Sequence, residues 1–141
     1  MTLRHAALAA TLAALPLAPA AAQQDTGGLS VELNKLETIE AGCRAYFLFR
    51  NGLGRAVSAY ELSLAILDPD GVIDRLLTVE SAPLPPDRTT LKIFEFPDLA
   101  CEGVGEVIVH DISACAAADG EPLDCWAETA LASRTAAPLT D

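Results

Sequence analysis

The stretch Gly42-Cys43-Arg44-Ala45-Tyr46-Phe47-Leu48-Phe49-Arg50-Asn51 alternates two faces, carries a cysteine and ends in a turn signal. Side chains along a strand alternate with period two, so Cys43, Ala45, Phe47 and Phe49 share one face while Arg44, Tyr46, Leu48 and Arg50 share the other. The first face is apolar throughout; the second is bracketed by arginines. Asn51-Gly52 follows, and both residues tolerate the positive φ of tight hairpin turns. The strand is therefore expected to reverse there and to pair with the next one.

The four cysteines, Cys43, Cys101, Cys115 and Cys125, all lie well beyond the first 22 residues. Those 22 residues have a short basic start (Arg4, His5), an Ala/Leu run from Ala6 to Leu17 and small residues at Ala18, Ala20 and Ala22. This is the layout of a signal peptide, with cleavage expected after Ala22. The apolar run is shorter than the ~20 residues that span a bilayer, so no membrane insertion is expected after cleavage. An even number of cysteines in an exported chain reads as disulfides, and three pairings are open. The favoured one joins Cys115 to Cys125 around an Ala/Asp/Gly/Pro loop and Cys43 to Cys101, tying the central strand to a distant part of the sheet. A zinc or redox site is not supported, because there is no Cys-x-x-Cys and the spacings fit no zinc-ligand pattern.

The rest of the chain reads as short strands separated by turns. Gln23 to Gly28 is a flexible lead, Leu29 to Leu33 a first strand, and Asn34 to Ala41 a crossing to the central strand. Ala59 to Leu67 is half-buried. Asp68-Pro69-Asp70-Gly71 is the clearest turn, since Pro presets φ, Asp bonds its own backbone and Gly accepts left-handed geometry. Val72 to Glu80 is its hairpin partner. Pro83-Leu84-Pro85-Pro86-Asp87 must lie outside the sheets and is read as a stiff crossing between them. Thr89 to Phe96, Glu106 to Ile112 and a weaker run from Trp126 to about Ser133 complete the set. Residues 29–135 are thus expected to form an all-β domain, an immunoglobulin-like β-sandwich of about seven strands with two disulfides, with a small β-barrel as the alternative. Ala136 to Asp141 is read as a mobile tail. A true immunoglobulin domain carries a core Trp on its third strand, where this chain offers Tyr60.

Nine Lys/Arg stand against twenty Asp/Glu, a net charge of −11 that loss of Arg4 makes one unit more negative. Such a surface repels nucleic acid and anionic lipid headgroups, so neither is expected as a partner. From Leu91 to Asp141, ten acids face only Lys92 and Arg134, which reads as a solvated acidic face. Beyond the signal peptide there is one histidine, His110, so any nucleophilic triad would depend on it. Asp111 is adjacent in sequence but alternates to the opposite face, and there is no Gly-x-Ser-x-Gly or phosphate-binding glycine loop. Asp68, Asp70 and Asp74 do not match the EF-hand spacing. No catalytic residue, metal or cofactor is expected. The outward apolar side chains carry more information. Tyr46 and Leu48 lie opposite the Phe47 face, and Ile108 and Ile112 opposite Val107 and Val109. Either this material is a partner surface, or loops such as Pro83–Asp87 or Cys115–Cys125 cover it.

The exported start, Leu29 to Leu36 (LSVELNKL), Gly42 to Asn51 (GCRAYFLFRN), the DPDG turn, Cys101, His110 to Cys115 (HDISAC) and Cys125 with Ser133-Arg134-Thr135 resemble a group of small proteobacterial envelope proteins. Those are labelled only as Tat pathway signal sequence domain proteins. The resemblance runs over nearly all the mature chain and implies periplasmic export with no implied activity. Thr2-Leu3-Arg4-His5 holds no twin arginine, which favours the general secretory route. The expectation is a periplasmic, non-enzymatic accessory module that contacts another envelope protein through Arg44, Tyr46, Leu48 and Arg50. A hydrolase using acids with His110, and a small-ligand-binding or structural protein, are the alternatives.

Overall fold

The computed structural model describes residues 27–141. The expected signal peptide and most of the lead at 23–28 lie outside the described residues. The described residues form eight strands: β1 (Leu29–Ile39), β2 (Gly42–Asn51), β3 (Val57–Leu67), β4 (Ile73–Glu80), β5 (Arg88–Pro97), β6 (Glu106–Ala117), β7 (Thr129–Ser133) and β8 (Leu139–Thr140). A 3-10 turn at Cys101–Gly103 precedes β6, and one helical turn, α1 (Cys125–Glu128), precedes β7. Two four-stranded sheets result. Sheet A has the order β5-β2-β1-β7 and sheet B the order β4-β3-β6-β8. With the first, second and fifth strands in one sheet and the third, fourth and sixth in the other, the molecule is an all-β, immunoglobulin-like sandwich.

The inward faces alternate as the pleat requires. Leu29, Val31 and Leu33 of β1, Cys43, Ala45, Phe47 and Phe49 of β2, and Tyr60, Leu62, Leu64 and Ile66 of β3 are all buried, with Phe96, Val107 and Val109 from β5 and β6. Phe49 meets Tyr60 edge-on at 6.1 Å, and the Tyr60 hydroxyl shares a 2.7 Å hydrogen bond with Thr129 Oγ1. Tyr60 thus fills the third-strand core position with a polar handle that reaches β7. Both disulfides pair as favoured, Cys43 with Cys101 and Cys115 with Cys125. The first fastens β2 to the connection that carries the chain from β5 in sheet A to β6 in sheet B; the second fastens β6 to α1.

Four local expectations are corrected. Asn34 to Ala41 is not a crossing, because β1 continues to Ile39 and turns tightly into β2. A bulge between Leu33 and Lys35 lets Asn34 slip the phase, so Leu36 packs inward while Lys35 and Glu37 point out. Next, Asn51-Gly52 ends β2 without a hairpin. Both edges of β2 are taken by β1 and β5, so the chain leaves for sheet B. Asn51 is buried and anchors the departure: its amide donates to the carbonyls of Arg55 (2.8 Å) and Leu84 (3.0 Å) and accepts from the Leu53 N–H. Third, the final run is divided, with Cys125–Glu128 helical and only Thr129–Ser133 extended. Last, the tail expected to be mobile is built into the fold. Ala137 and Leu139 are buried, and β8 lies parallel to β6.

The DPDG turn and the proline-rich crossing form as the sequence predicts. Asp68 Oδ1 accepts from the N–H groups of Asp70 and Val72, Gly71 takes φ of 79°, and β3 pairs with β4. Leu84 makes an isolated bridge with Val57 and is buried, which holds the crossing against sheet B.

Candidate functional site

The outer face of sheet A is assembled from β1, β2 and β5. In an antiparallel pair, residues opposite each other share a face, so the register places side chains directly. Tyr46 stands opposite Ile93 and Leu48 opposite Leu91, while Arg44 stands opposite Glu95 and Arg50 opposite Thr89. Across the other edge of β2, Glu37 faces Arg44, Lys35 faces Tyr46 and Glu32 faces Leu48. The centre of the face is therefore four large apolar side chains, Tyr46, Leu48, Leu91 and Ile93. Leu91 and Ile93 are 53% and 49% exposed.

One end of this stripe is rimmed by a charged network. Arg44 donates through Nε and Nη2 to Glu95 Oε1 at 3.2 and 2.8 Å, and its Nη1 lies 3.8 Å from Glu37. The Tyr46 hydroxyl donates to Glu37 Oε2, and Lys35 Nζ binds Glu37 Oε1 at 2.8 Å while standing 5.2 Å over the Tyr46 ring. The Lys35 hydrogen bond, followed by that of Tyr46, holds the Glu37 carboxyl below its ordinary range. Hydrogen bonding to Glu95 raises Arg44 above its own. The aromatic ring is thus fixed by two neighbours, Glu37 at its hydroxyl and Lys35 over its face.

The other end is built around Glu32, an acid on the outer face whose side chain is only 2% exposed. Burial pushes its carboxyl up, but the 2.7 Å hydrogen bond from Asn34 and the charges of Arg50 (3.4 Å) and Arg134 (3.6 Å) outweigh that and hold it below its ordinary value. Two guanidinium groups over one carboxylate leave this end locally positive. On the whole face, Lys35, Arg44, Arg50 and Arg134 meet Glu32, Glu37 and Glu95, a slight positive excess on a chain of net charge −11.

All four residues singled out in β2, Arg44, Tyr46, Leu48 and Arg50, fall on this face. Sequence reasoning misses the other half of it. Leu91, Ile93 and Glu95 alternate within β5, but their apolar neighbours Phe94 and Phe96 hide which side is outward, and the pairing of β5 with β2 is not local. The phase slip at Asn34 hides Lys35 and Glu37. The two loops weighed as covers lie elsewhere: Leu84 of the proline-rich crossing bridges to β3, and the Cys115–Cys125 loop is tied to Arg55, whose guanidinium reaches the Pro122 carbonyl and Asp119.

Sheet B corrects the second outward pair. Bulges in β6 set Ile112 opposite Leu62 and Val109 opposite Leu64, so Ile112 packs toward the core and leaves Ile108 alone on the outside. The same slip puts His110 and Asp111 both at the surface, where Asp111 stands opposite Ser63. Among the described residues, no side-chain hydrogen bond or ion pair joins His110 to an acid or hydroxyl, and no three His, Cys, Asp or Glu side chains come together as metal ligands. Clefts open to solvent among the described residues include two near the candidate side chains. One, of about 310 Å³, lies between Asp111, Asp124, Trp126 and the Cys115–Cys125 bridge; the other, of about 450 Å³, lies between Asn34, Lys35, Cys101 and Arg134. No helix among the described residues is long and apolar enough to cross a membrane. Comparison of the chain with protein-family models, curated proteins and solved structures found no match.

Proposed function

We propose that this protein is an exported, periplasmic binding module that acts without catalysis, as an accessory factor docking on another envelope protein through the outer face of sheet A. The observation that carries this reading is the apolar stripe Tyr46, Leu48, Leu91 and Ile93, contiguous by register and rimmed by paired arginines. Interface centres favour aromatic and arginine side chains inside a polar rim, and a contiguous apolar patch on a small protein marks a partner surface. The ion pairs orient the arginines before any partner arrives, which lowers the ordering cost of association. The resemblance to small proteobacterial envelope proteins and the two disulfides agree with an oxidising, exported setting.

Cross-linking of the tagged full-length protein in its own cells, followed by mass spectrometry, tests this. One reproducible envelope partner is expected with the unmodified chain, and Leu48→Glu or Leu91→Glu should abolish capture while both disulfides still form. Capture unchanged by both substitutions would overturn the placement. Capture of nothing by the unmodified chain would overturn the function itself.

A further inference from the structure

Six of the cations among the described residues, Lys35, Arg44, Arg50, Arg55, Arg75 and Arg134, form ion pairs; Arg88 and Lys92 form none. Acids outnumber bases by about two to one in this chain, so an unpaired base is the rarer outcome. Both unpaired cations are on β5, four residues apart and hence on one face. Arg88 is exposed, and Lys92 donates only to the Ala82 carbonyl at 3.4 Å.

Among the described residues, strand β5 is also the longest edge of the sandwich, pairing with β2 on one side and with no strand on the other. The Asp98 N–H bonds to the Ala41 carbonyl, and this fixes the phase of the ladder that continues it. Even-numbered residues bond to β2, while Thr89, Leu91, Ile93 and Glu95 aim N–H and C=O groups at the open edge. Only the far end is closed, where Arg75 donates to the Pro97 carbonyl.

An open edge of this kind pairs with a second strand unless something opposes it. A second copy is opposed. The two-fold register that would use all four open residues sets Leu91 against Ile93 and Lys92 against the Lys92 of the other copy, and like charges directly opposite are destabilising. The same two cations suit a different occupant. We propose that β5 accepts an extended strand from a partner, with carboxylates four residues apart opposite Arg88 and Lys92 on one face and apolar side chains beside Leu91 and Ile93 on the other. Backbone bonds to the edge supply affinity, and the alternate side chains supply choice of partner. This rests on sheet A as the contact surface and names the chemistry of what binds there.

The probe is a synthetic peptide of about ten residues, alternating valine on one face with threonine and two glutamates, four positions apart, on the other. Calorimetric titration should show this peptide binding roughly tenfold more tightly than its glutamine version. Hydrogen exchange of the Leu91 and Ile93 amides should slow in the complex. The double variant R88E/K92E should reverse the preference, taking a lysine version of the peptide over the glutamate one. Leu91→Pro removes an outward N–H without touching the β2 ladder and should block binding; if it fails to fold, the charge reversal still decides. Equal binding of all three peptides, protection at another edge, or no binding at about 1 mM would overturn the proposal. Its failure is separable from failure of the docking reading. A captured envelope protein lost with Leu48→Glu but kept with R88E/K92E leaves the face standing and removes strand addition.

Discussion

The two faces of β2 share one backbone and divide the work of the molecule. Cys43, Ala45, Phe47 and Phe49 are all but inaccessible and are held by a disulfide, an edge-on contact with Tyr60 and a second with Phe94 at 5.8 Å. Arg44, Tyr46, Leu48 and Arg50 are half-buried; Arg44 and Tyr46 are held by Glu95 and Glu37, which reach water, and Arg50 by the buried Glu32. Residues one position apart thus differ in what they stabilise. On the inner face, apolar area removed from water and close packing set the energy of the fold. On the outer face, exposed ion pairs contribute little to stability and mainly fix orientation.

The sharpest way to break this division is to truncate neighbours. Phe47→Ala should cost about 3–5 kcal/mol in denaturant unfolding, whereas Tyr46→Ala should cost less than about 1 kcal/mol. Similar losses for the two would end the comparison. Cys43→Ala with Cys101→Ala reopens a loop spanning 58 residues and should cost about 4 kcal/mol; Cys115→Ala with Cys125→Ala, spanning 10, should cost about 2.7 kcal/mol. Reversal of that order would mean that packing, and not loop closure, dominates.

Smaller effects sharpen the comparison through pH. Burial pushes the Tyr60 hydroxyl up to about 12, partly offset by its bond to Thr129. A proton held more tightly in the folded state gives stability that is intact below the free value near 10 and is lost as pH rises toward 12. The loss should approach about 3 kcal/mol, and Tyr60→Phe should remove this pH dependence at a cost of about 1 kcal/mol for the hydrogen bond. Glu32 runs the other way. Its lowered carboxyl gives stability present above the ordinary value of 4.5 and lost as pH falls below it. Glu32→Gln should flatten the acid limb and cost about 1–2 kcal/mol, less than a fully buried pair because both arginines reach solvent. The smallest stability change, under about 0.5 kcal/mol, belongs to Leu48→Ser, which should nevertheless weaken partner capture.

Wherever the alternation was uninterrupted, the sequence was readable. β2, the DPDG hairpin and the crossing role of the prolines follow from local pattern, and of the three open disulfide pairings the favoured one is the one that forms. The errors gather at bulges, because one extra residue inverts every later side chain. Asn34 turned a continuing strand into an apparent crossing, and the slips in β6 moved Ile112 from the surface to the core. Non-local pairing accounts for the rest. Nothing in Leu91 or Ile93 says that Leu48 and Tyr46 stand opposite them, so half of the candidate face was invisible until β5 and β2 were seen side by side. The buried acid Glu32 was hidden similarly, since two of its three partners come from other strands or turns.

The last stretch of the fold crosses from one sheet to the other. β7 lies beside β1, the Arg134 N–H bonds to the Leu33 carbonyl, Ser133 and Thr135 hold the Ala137 carbonyl, and β8 then joins β6. Residues 129–140 therefore act as a clasp. A chain emerging with its N-terminus first has β1 and β6 in reach of their neighbours early, yet each keeps an unpaired edge until the clasp arrives. Closure of the sandwich waits on this clasp, and a chain cut before Thr129 would leave β1 and β6 each with a bare edge that β7 and β8 otherwise cover.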